Sequence, residues 1–475
     1  MPADQLTALD ATFLELEEDD EGALMHIGAA LVFDPLPGGG APTIDQVREH
    51  VAVHLDRLPR YRQKLTKPRT GGFAWPSWER DPRFELDAHI RHATLPAPGD
   101  EADLLDWISD YYSHRLDRSR PLWEIALLDG LARDGWALVW KTHHCVADGV
   151  GSVGAVNLLL DTEAGDAERP AAGGAARDAR PQRSLPRPPG GVRWTANAGM
   201  TVARAGTHAL LHPREALERS RAVVDLLVRD ELVAAPRTSL NEPIGATRRV
   251  AAVHAGREQF EAIRADLGGK LNDVVLYAAT GGLRALLLER DEELPQQGLR
   301  AMVPVNVRPT GGGVELGNRV SSMFVELPVA EADPRRRYER IRAASERHKT
   351  GGQAQAAGAL IGMTELAPPM LHAGLARMLY ASRLFNVTIT NVPGPAQRVS
   401  SFGAPMTDIV PIVPLAADHA VGIAVISYVG KMTFGLNADR ASVPDLGVLA
   451  DGIAQSVSEL AALVLRSRRS RAPRA

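Results

Sequence analysis

The sequence predicts two α/β halves with mixed sheets, joined by a linker, with a functional site where the halves meet. Strand-like alternation and helical spacing of apolar residues both occur on either side of the chain's midpoint. Residues 162–192 are a run of Ala, Gly, Pro, Arg and Asp that includes Ser184-Leu185-Pro186-Arg187-Pro188-Pro189. Such a segment cannot bury enough apolar surface to order itself. The length, 475 residues, exceeds that of an ordinary single domain. Ligand clefts commonly form between two such halves.

In the N-terminal half, residues 1–161, His26–Phe33, Trp123–Leu128 and Trp136–Thr142 read as strands, and Ile44–Leu58 and Glu101–Arg115 as helices. After the linker, residues 193–240 form a helical connector whose pattern, Trp194 to Leu232, breaks at His212-Pro213. The C-terminal half, residues 241–475, carries strands at Arg249–His254, Ala301–Val307, Ser321–Leu327, Val387–Val392, Val421–Val429 and Met432–Leu436. Its helices are Asn272–Glu289, Pro334–His348, Gln353–Leu384 and Pro444–Arg466. No short repeat is visible.

Composition excludes several classes of function. Apolar residues make up 45% and charged residues 24%, an ordinary globular mix. With 54 basic residues against 58 acidic ones, the chain lacks an electrostatic footprint for nucleic acid. Only 6 of the basic residues are Lys, a bias that reads as GC-rich coding rather than a binding surface. The single Cys excludes an intrachain disulfide and a Cys-based zinc site. Met1 to Phe13 has no basic or apolar signal region, and no run of 18 apolar residues is free of charge or Pro. A soluble cytoplasmic protein without a metal or cofactor is expected.

The most informative stretch runs from Trp136 to Ser152. A strand leads into His143-His144, a turn holds Asp148 and Gly149, and Val153–Leu160 resumes as a helix. Successive strand side chains point to opposite faces, so the two histidines are expected to face apart, one chemical and one structural. Gly149 suits a positive φ or a close backbone approach. Asp148 either orients an imidazole or pins the loop through an Arg. An imidazole with a pKa of about 6.5 is mostly neutral at physiological pH. It can take a proton from an alcohol attacking a thioester, for about 10²–10⁴-fold in rate. That chemistry needs neither a metal nor a covalent intermediate.

His143-His144-Cys145-Val146-Ala147-Asp148-Gly149 matches HHxxxDG, the motif of the CoA-dependent acyltransferase superfamily that includes chloramphenicol acetyltransferase and peptide-synthetase condensation domains. More narrowly, the chain resembles the bacterial wax ester synthase/acyl-CoA:diacylglycerol acyltransferase family. The resemblance is carried by Leu6 to Phe13, Leu116 to Glu124, Asn272 to Leu276, Arg300 to Val305 and Thr390 to Pro395, in family order over nearly the whole chain. It implies two chloramphenicol-acetyltransferase-like domains around a channel, entered by acyl-CoA from one side and by diacylglycerol or a long-chain alcohol from the other. It implies that His144 is the general base, that His143 and Asp148 support it, with Asp148 structural, and that Asn272 and Gly149 bind substrate. Acyl-CoA is then a co-substrate, and the product is triacylglycerol or wax ester. Two alternatives stay open: a condensation-type or polyketide-associated transferase with another alcohol or amine acceptor, and a non-catalytic lipid- or CoA-binding paralogue.

Other residues read more plainly. Asn272 and Asp273 also suit a helix N-cap. Trp123 is core or a support for the channel, and Asn391 caps the turn at Val392-Pro393-Gly394-Pro395. Cys145 lacks an oxyanion loop and Ser152 lacks a GxSxG elbow, so neither reads as a nucleophile. Gly311-Gly312-Gly313 lacks the Lys of a phosphate loop. Arg466–Arg474 reads as a basic tail, solvated or touching anionic lipid. Gln353–Leu384 reads as buried helix or as an apolar face on a membrane or lipid droplet.

Overall fold

The computed structural model describes residues 5–66, 76–147, 154, 156, 160–162, 235–306, 320–350 and 384–471. The expected linker beyond Thr162, the helical connector up to residue 234, most of Val153–Leu160, all but the last residue of Gln353–Leu384 and the Gly311-Gly312-Gly313 loop lie outside these.

In chain order the elements are α1 Ala8–Asp19, β1 His26–Phe33, α2 Ile44–His54, β2 Gln63–Leu65, β3 Trp78–Arg80, β4 Ile90–Thr94, α3 Glu101–Tyr112, β5 Trp123–Asp129, β6 Trp136–His143 and β7 Asp161–Thr162. They continue with β8 Arg248–Gly256, α4 Arg257–Leu267, α5 Leu271–Glu289, β9 Leu299–Asn306, β10 Val320–Leu327, α6 Pro334–Thr350, β11 Val387–Pro393, β12 Val399–Ser401, β13 Ala404–Ile412, β14 Val421–Tyr428, β15 Lys431–Asp439 and α7 Leu446–Arg471.

Two mixed sheets organise the chain, as the alternating patterns predict. The first has order β4-β5-β6-β1-β13-β12-β7 and the second β10-β9-β11-β14-β15-β8. The C-terminal half thus lends β12 and β13 to the sheet of the N-terminal half. β1 is the seam, antiparallel to β6 on one side and to β13 on the other, with His26 opposite His143 and Gly28 opposite Ile412.

The first sheet is buried on both faces, which is why every residue of β6 is buried. One face holds Ala30, Ala126, Ala137 and Val139 against Leu104, Ile108 and Tyr112 of α3. The other holds Leu31, Phe33, Trp136 and Trp140 against Val47, Val51, Tyr61 and Trp123. Gly28 is required here: a Cβ would lie 1.9 Å from the Trp140 carbonyl oxygen and 2.1 Å from the Tyr112 hydroxyl. α3 also closes the free edge of the second sheet, its Ser109 and Ser113 hydroxyls accepting from the N–H groups of Val250 and Arg248, each at 2.8 Å.

The second sheet carries an apolar layer made by α4, α5, α6 and α7, with Phe260, Leu283, Leu286, Tyr338, Leu449 and Ile453 inside. α5 and α7 approach closely because Gly282 faces Leu449 and Ile453, where a Cβ would sit 2.6 Å from each. By length and composition alone Leu271–Glu289 and Leu446–Arg466 could cross a membrane, but 72% and 50% of their apolar windows are buried in the fold.

Helix ends differ from the sequence expectation. Ile44–Leu58 gives way at His54 to short 3-10 turns at Leu55–Arg57 and Pro59–Arg62, and Glu101–Arg115 stops at Tyr112. The last helix runs on to Arg471, so Arg466–Arg471 is helix rather than tail. Its arginines are good helix formers that suit a helix C-terminus, and Pro473 follows.

Candidate active site

The site is built from α1, the start of β1 and the exit of β6. Thr7 caps α1, its Oγ1 accepting from the Asp10 N–H at 3.1 Å. Asp10, Phe13 and Glu17 follow at helical spacing on one face, and all three are buried. β6 ends at His143, whose N–H donates to the Leu122 carbonyl at 3.0 Å. The chain then turns: the His144 N–H donates to the Met25 carbonyl at 2.8 Å, and the Val146 N–H returns to the His143 carbonyl at 3.0 Å. Leu122 also accepts the Thr142 hydroxyl, at 3.1 Å. The Pro121-Leu122-Trp123 segment therefore anchors the strand exit by its backbone. Trp123 itself is core, with its Nε1–H on the Tyr61 carbonyl at 2.8 Å and its ring stacked on His89.

The two histidines differ in environment. His143 is 1% exposed. Its Nδ1 accepts from the Cys145 N–H at 3.2 Å, so Nε2 carries the proton and donates it to Glu17 at 2.5 Å. This fixes one neutral tautomer with both nitrogens engaged. His144 is half-buried, and its ring stacks on Phe13 with centroids 3.9 Å apart and planes 20° from parallel. A stacked imidazole is covered on a face while its nitrogens remain at the edge.

The expectation that the two rings point to opposite faces is corrected. Both lie against α1, on Phe13 and Glu17, which are four residues apart and share a helix face. Alternation fails because β6 stops at His143 and His144 already belongs to the turn. The difference between the rings comes from burial and partners.

Glu17 is the centre of a buried charged cluster. Burial alone would raise its pKa, but the His143 hydrogen bond foremost, helped by the Arg118 charge, outweighs it and holds the carboxyl at about 2. Arg118 lies 3.4 Å away and Arg115 3.9 Å. Burial drives His26 well below its ordinary value and keeps it neutral. It also pulls Lys141 down to about 8, where Nζ donates to the Tyr111 and His114 carbonyls at the end of α3. Cys145 is buried, and burial pushes its thiol well up, which leaves no thiolate nucleophile.

Asp148 and Gly149 lie outside the described residues. Asn272, second residue of α5, is half-buried, and among the described residues no hydrogen bond or ring contact joins it to the histidine pair. It is not the helix cap: the cap position is Lys270, whose N–H donates to Asp273 at 2.7 Å. Sequence reasoning missed Phe13, Glu17, His26 and Arg118. The i, i+3, i+7 spacing of Asp10, Phe13 and Glu17 was the signal available.

The model of the wax ester synthase/diacylglycerol acyltransferase catalytic domain matches residues 6–275, and that of the WS/DGAT C-terminal domain matches residues 316–461. The chain belongs to the wax ester synthase/diacylglycerol acyltransferase family. It is 32% identical, over 98% of its length and 97% of the other's, to a protein of Mycobacterium tuberculosis named as the probable diacylglycerol O-acyltransferase tgs1. A second protein of that organism, named as probable tgs2, is 30% identical over 95% and 97% of the two chains. Among solved structures, the wax ester synthase/diacylglycerol acyltransferase of Marinobacter aquaeolei superposes with a TM-score of 0.66 at 26% identity, over 97% of this chain and 99% of that one. The first condensation domain of the CDA synthetase shares the fold, with a TM-score of 0.58 at 15% identity over 97% and 96%. Family membership makes this chain an O-acyltransferase, and the fold is the expected CoA-acyltransferase type.

Proposed function

We propose that the protein moves a fatty acyl group from acyl-CoA to diacylglycerol or a long-chain alcohol, with His144 as general base. One observation supports this assignment above the others. Of the adjacent histidines, His143 is buried with both nitrogens committed inside the protein, whereas His144 is half-buried on the turn that follows. A base must reach its proton, and of the two residues only His144 is partly exposed.

The neutral His144 ring takes the acceptor's hydroxyl proton as the oxygen attacks the thioester carbonyl carbon. A C–O bond forms, the C–S bond breaks, and the imidazolium returns its proton to the leaving CoA thiolate. In this reading Asp148 supports the base, Gly149 binds substrate, and Asn272 donates a hydrogen bond to the acyl group. Acceptors of this kind partition into bilayers and droplets, which puts the enzyme in the cytoplasm at a membrane or lipid-droplet surface.

The test is His144→Ala with labelled palmitoyl-CoA and either diolein or hexadecanol. Ester formation should fall by about 10²–10⁴-fold. Equal ester from variant and wild type sinks the assignment, and amide product in an acceptor scan sinks the substrate class.

A further inference from the structure

We propose that α1 is a positioning element for the base. Phe13 fixes the plane of the His144 ring, and Glu17, acting through His143, fixes the turn on which His144 sits. The inference rests on the reading of His144 as base.

The mechanical path is continuous. The Glu17 carboxylate, 1% exposed, accepts from His143 Nε2 at 2.5 Å. That bond leaves Nδ1 as an acceptor, and it takes the Cys145 N–H at 3.2 Å. Cys145 directly follows His144, and the Val146 N–H closes the turn on the His143 carbonyl. The backbone on both sides of His144 is thereby tied to one imidazole, and that imidazole is held in one tautomer by one carboxylate. If Glu17 ceased to accept, His143 could move its proton to Nδ1, and the Cys145 N–H would lose its acceptor.

Phe13 acts on the ring rather than the backbone. Four residues before Glu17 on the same helix face, it lies parallel to His144 at 3.9 Å. Stacking restricts rotation of the imidazole about its terminal torsion, which is otherwise broad. The two grips share one rigid helix, so ring and turn are set together.

Retention of the carboxylate is itself informative. Two arginines and two histidines surround Glu17, and a buried charge of this kind is costly unless well partnered. An apolar residue would fill the same space without needing them, but it could not choose the tautomer of His143. Arg118 also ties α1 down, with Nη1 on Glu18 at 2.7 Å and Nη2 on the Leu14 carbonyl at 3.2 Å.

The experiment uses the full chain, with kcat and KM for both substrates and a melting curve for each variant. Phe13→Leu and Glu17→Leu should each lower kcat by about 10- to 100-fold, the scale of a misplaced catalytic group, with KM within about twofold of wild type. Phe13→Tyr and Glu17→Gln keep the stack and the acceptor and should stay within about threefold of wild type. Both leucine changes are then made in His144→Ala. Because they act through that ring, they should leave its residual rate unchanged, whereas a merely structural role would lower it further.

Wild-type kcat in Phe13→Leu and Glu17→Leu overturns the inference. So does an added loss in the His144→Ala background, or failure of the conservative variants to restore the rate. If a leucine variant does not fold, the Phe13→Tyr and Glu17→Gln rates decide: a loss of kcat in these folded proteins overturns the inference, and retention supports it. Full activity of His144→Ala is a different result, because it removes the base assignment itself.

Discussion

The two sheets bury very different interiors. Under α4, α5, α6 and α7 the second sheet is mainly apolar, with Phe260, Leu286, Leu449 and Ile453 filling one layer. Where β1 and β6 meet α1, by contrast, Glu17, His26, Lys141 and His143 are each 1% exposed. The first interior holds shape by packing, where a change of one methylene is felt. The second holds shape by matching charges, and a charge left unmatched there is heavily penalised. The proposed base sits beside the charged interior, and the apolar one supplies the rigidity behind it.

The comparison breaks most readily in the apolar interior. Leu286 is fully buried in the helix layer. Leu286→Ala should destabilise the protein by about 2–5 kcal/mol, the transfer loss plus the cavity, read as a shift of the denaturation midpoint. The activity of the molecules that remain folded should equal that of wild type. A matching fall in kcat at temperatures well below unfolding would show that the two interiors are coupled, contrary to the division drawn above.

How far this division can be read from sequence depends on the element. β6 and its histidine pair were visible as an apolar alternating run ending in polar residues. The strands of the second sheet were visible to within a few residues, because their Val- and Ile-rich runs have no helical alternative. β13 was not: Pro405 and Pro411 lie within Ala404–Ile412 and argue against a strand in a sheet interior. α1 was also missed as a helix, since the run Glu15-Leu16-Glu17-Glu18-Asp19-Asp20 looks like a solvated acidic stretch. Glu17 is buried only because Arg118 and His143, some hundred residues away, come to meet it. Such long-range pairing has no local signature. The opposed orientation expected for His143 and His144 failed for a smaller reason, the end of a strand falling between two adjacent residues.

The charged interior should respond to acid. The folded pKa of Glu17 is depressed, from an ordinary value near 4.5 to about 2. Its stabilising contribution is therefore fully present above the ordinary carboxylate range and is lost as pH falls from there towards the depressed value. The contribution is on the order of 3 kcal/mol. Urea midpoints of wild type and Glu17→Gln, measured from neutral pH downwards, should converge as the carboxylate protonates. A constant difference between the two across that range would mean that the ion cluster does not hold the carboxylate ionised.

The smallest effect belongs to the contact between the two interiors. His254 on β8 faces Glu101 of α3 at 2.6 Å, Asp408 of β13 at 3.4 Å and the Thr433 hydroxyl at 3.3 Å. Lys431 also reaches Asp408, at 3.1 Å, and is the like charge that opposes protonation. The Glu101 hydrogen bond is the main cause that raises the His254 pKa, against desolvation. A raised folded pKa stabilises below the ordinary histidine value, and that stabilisation fades as pH rises through the raised one. Because Glu101 is exposed and the pair is screened, the effect should be about 0.5 kcal/mol or less. His254→Gln should remove this alkaline slope in the denaturation midpoint and be nearly neutral above it. If the slope survives the substitution, another group at the α3–β8 contact titrates, and His254 is only a packing residue between the two sheets.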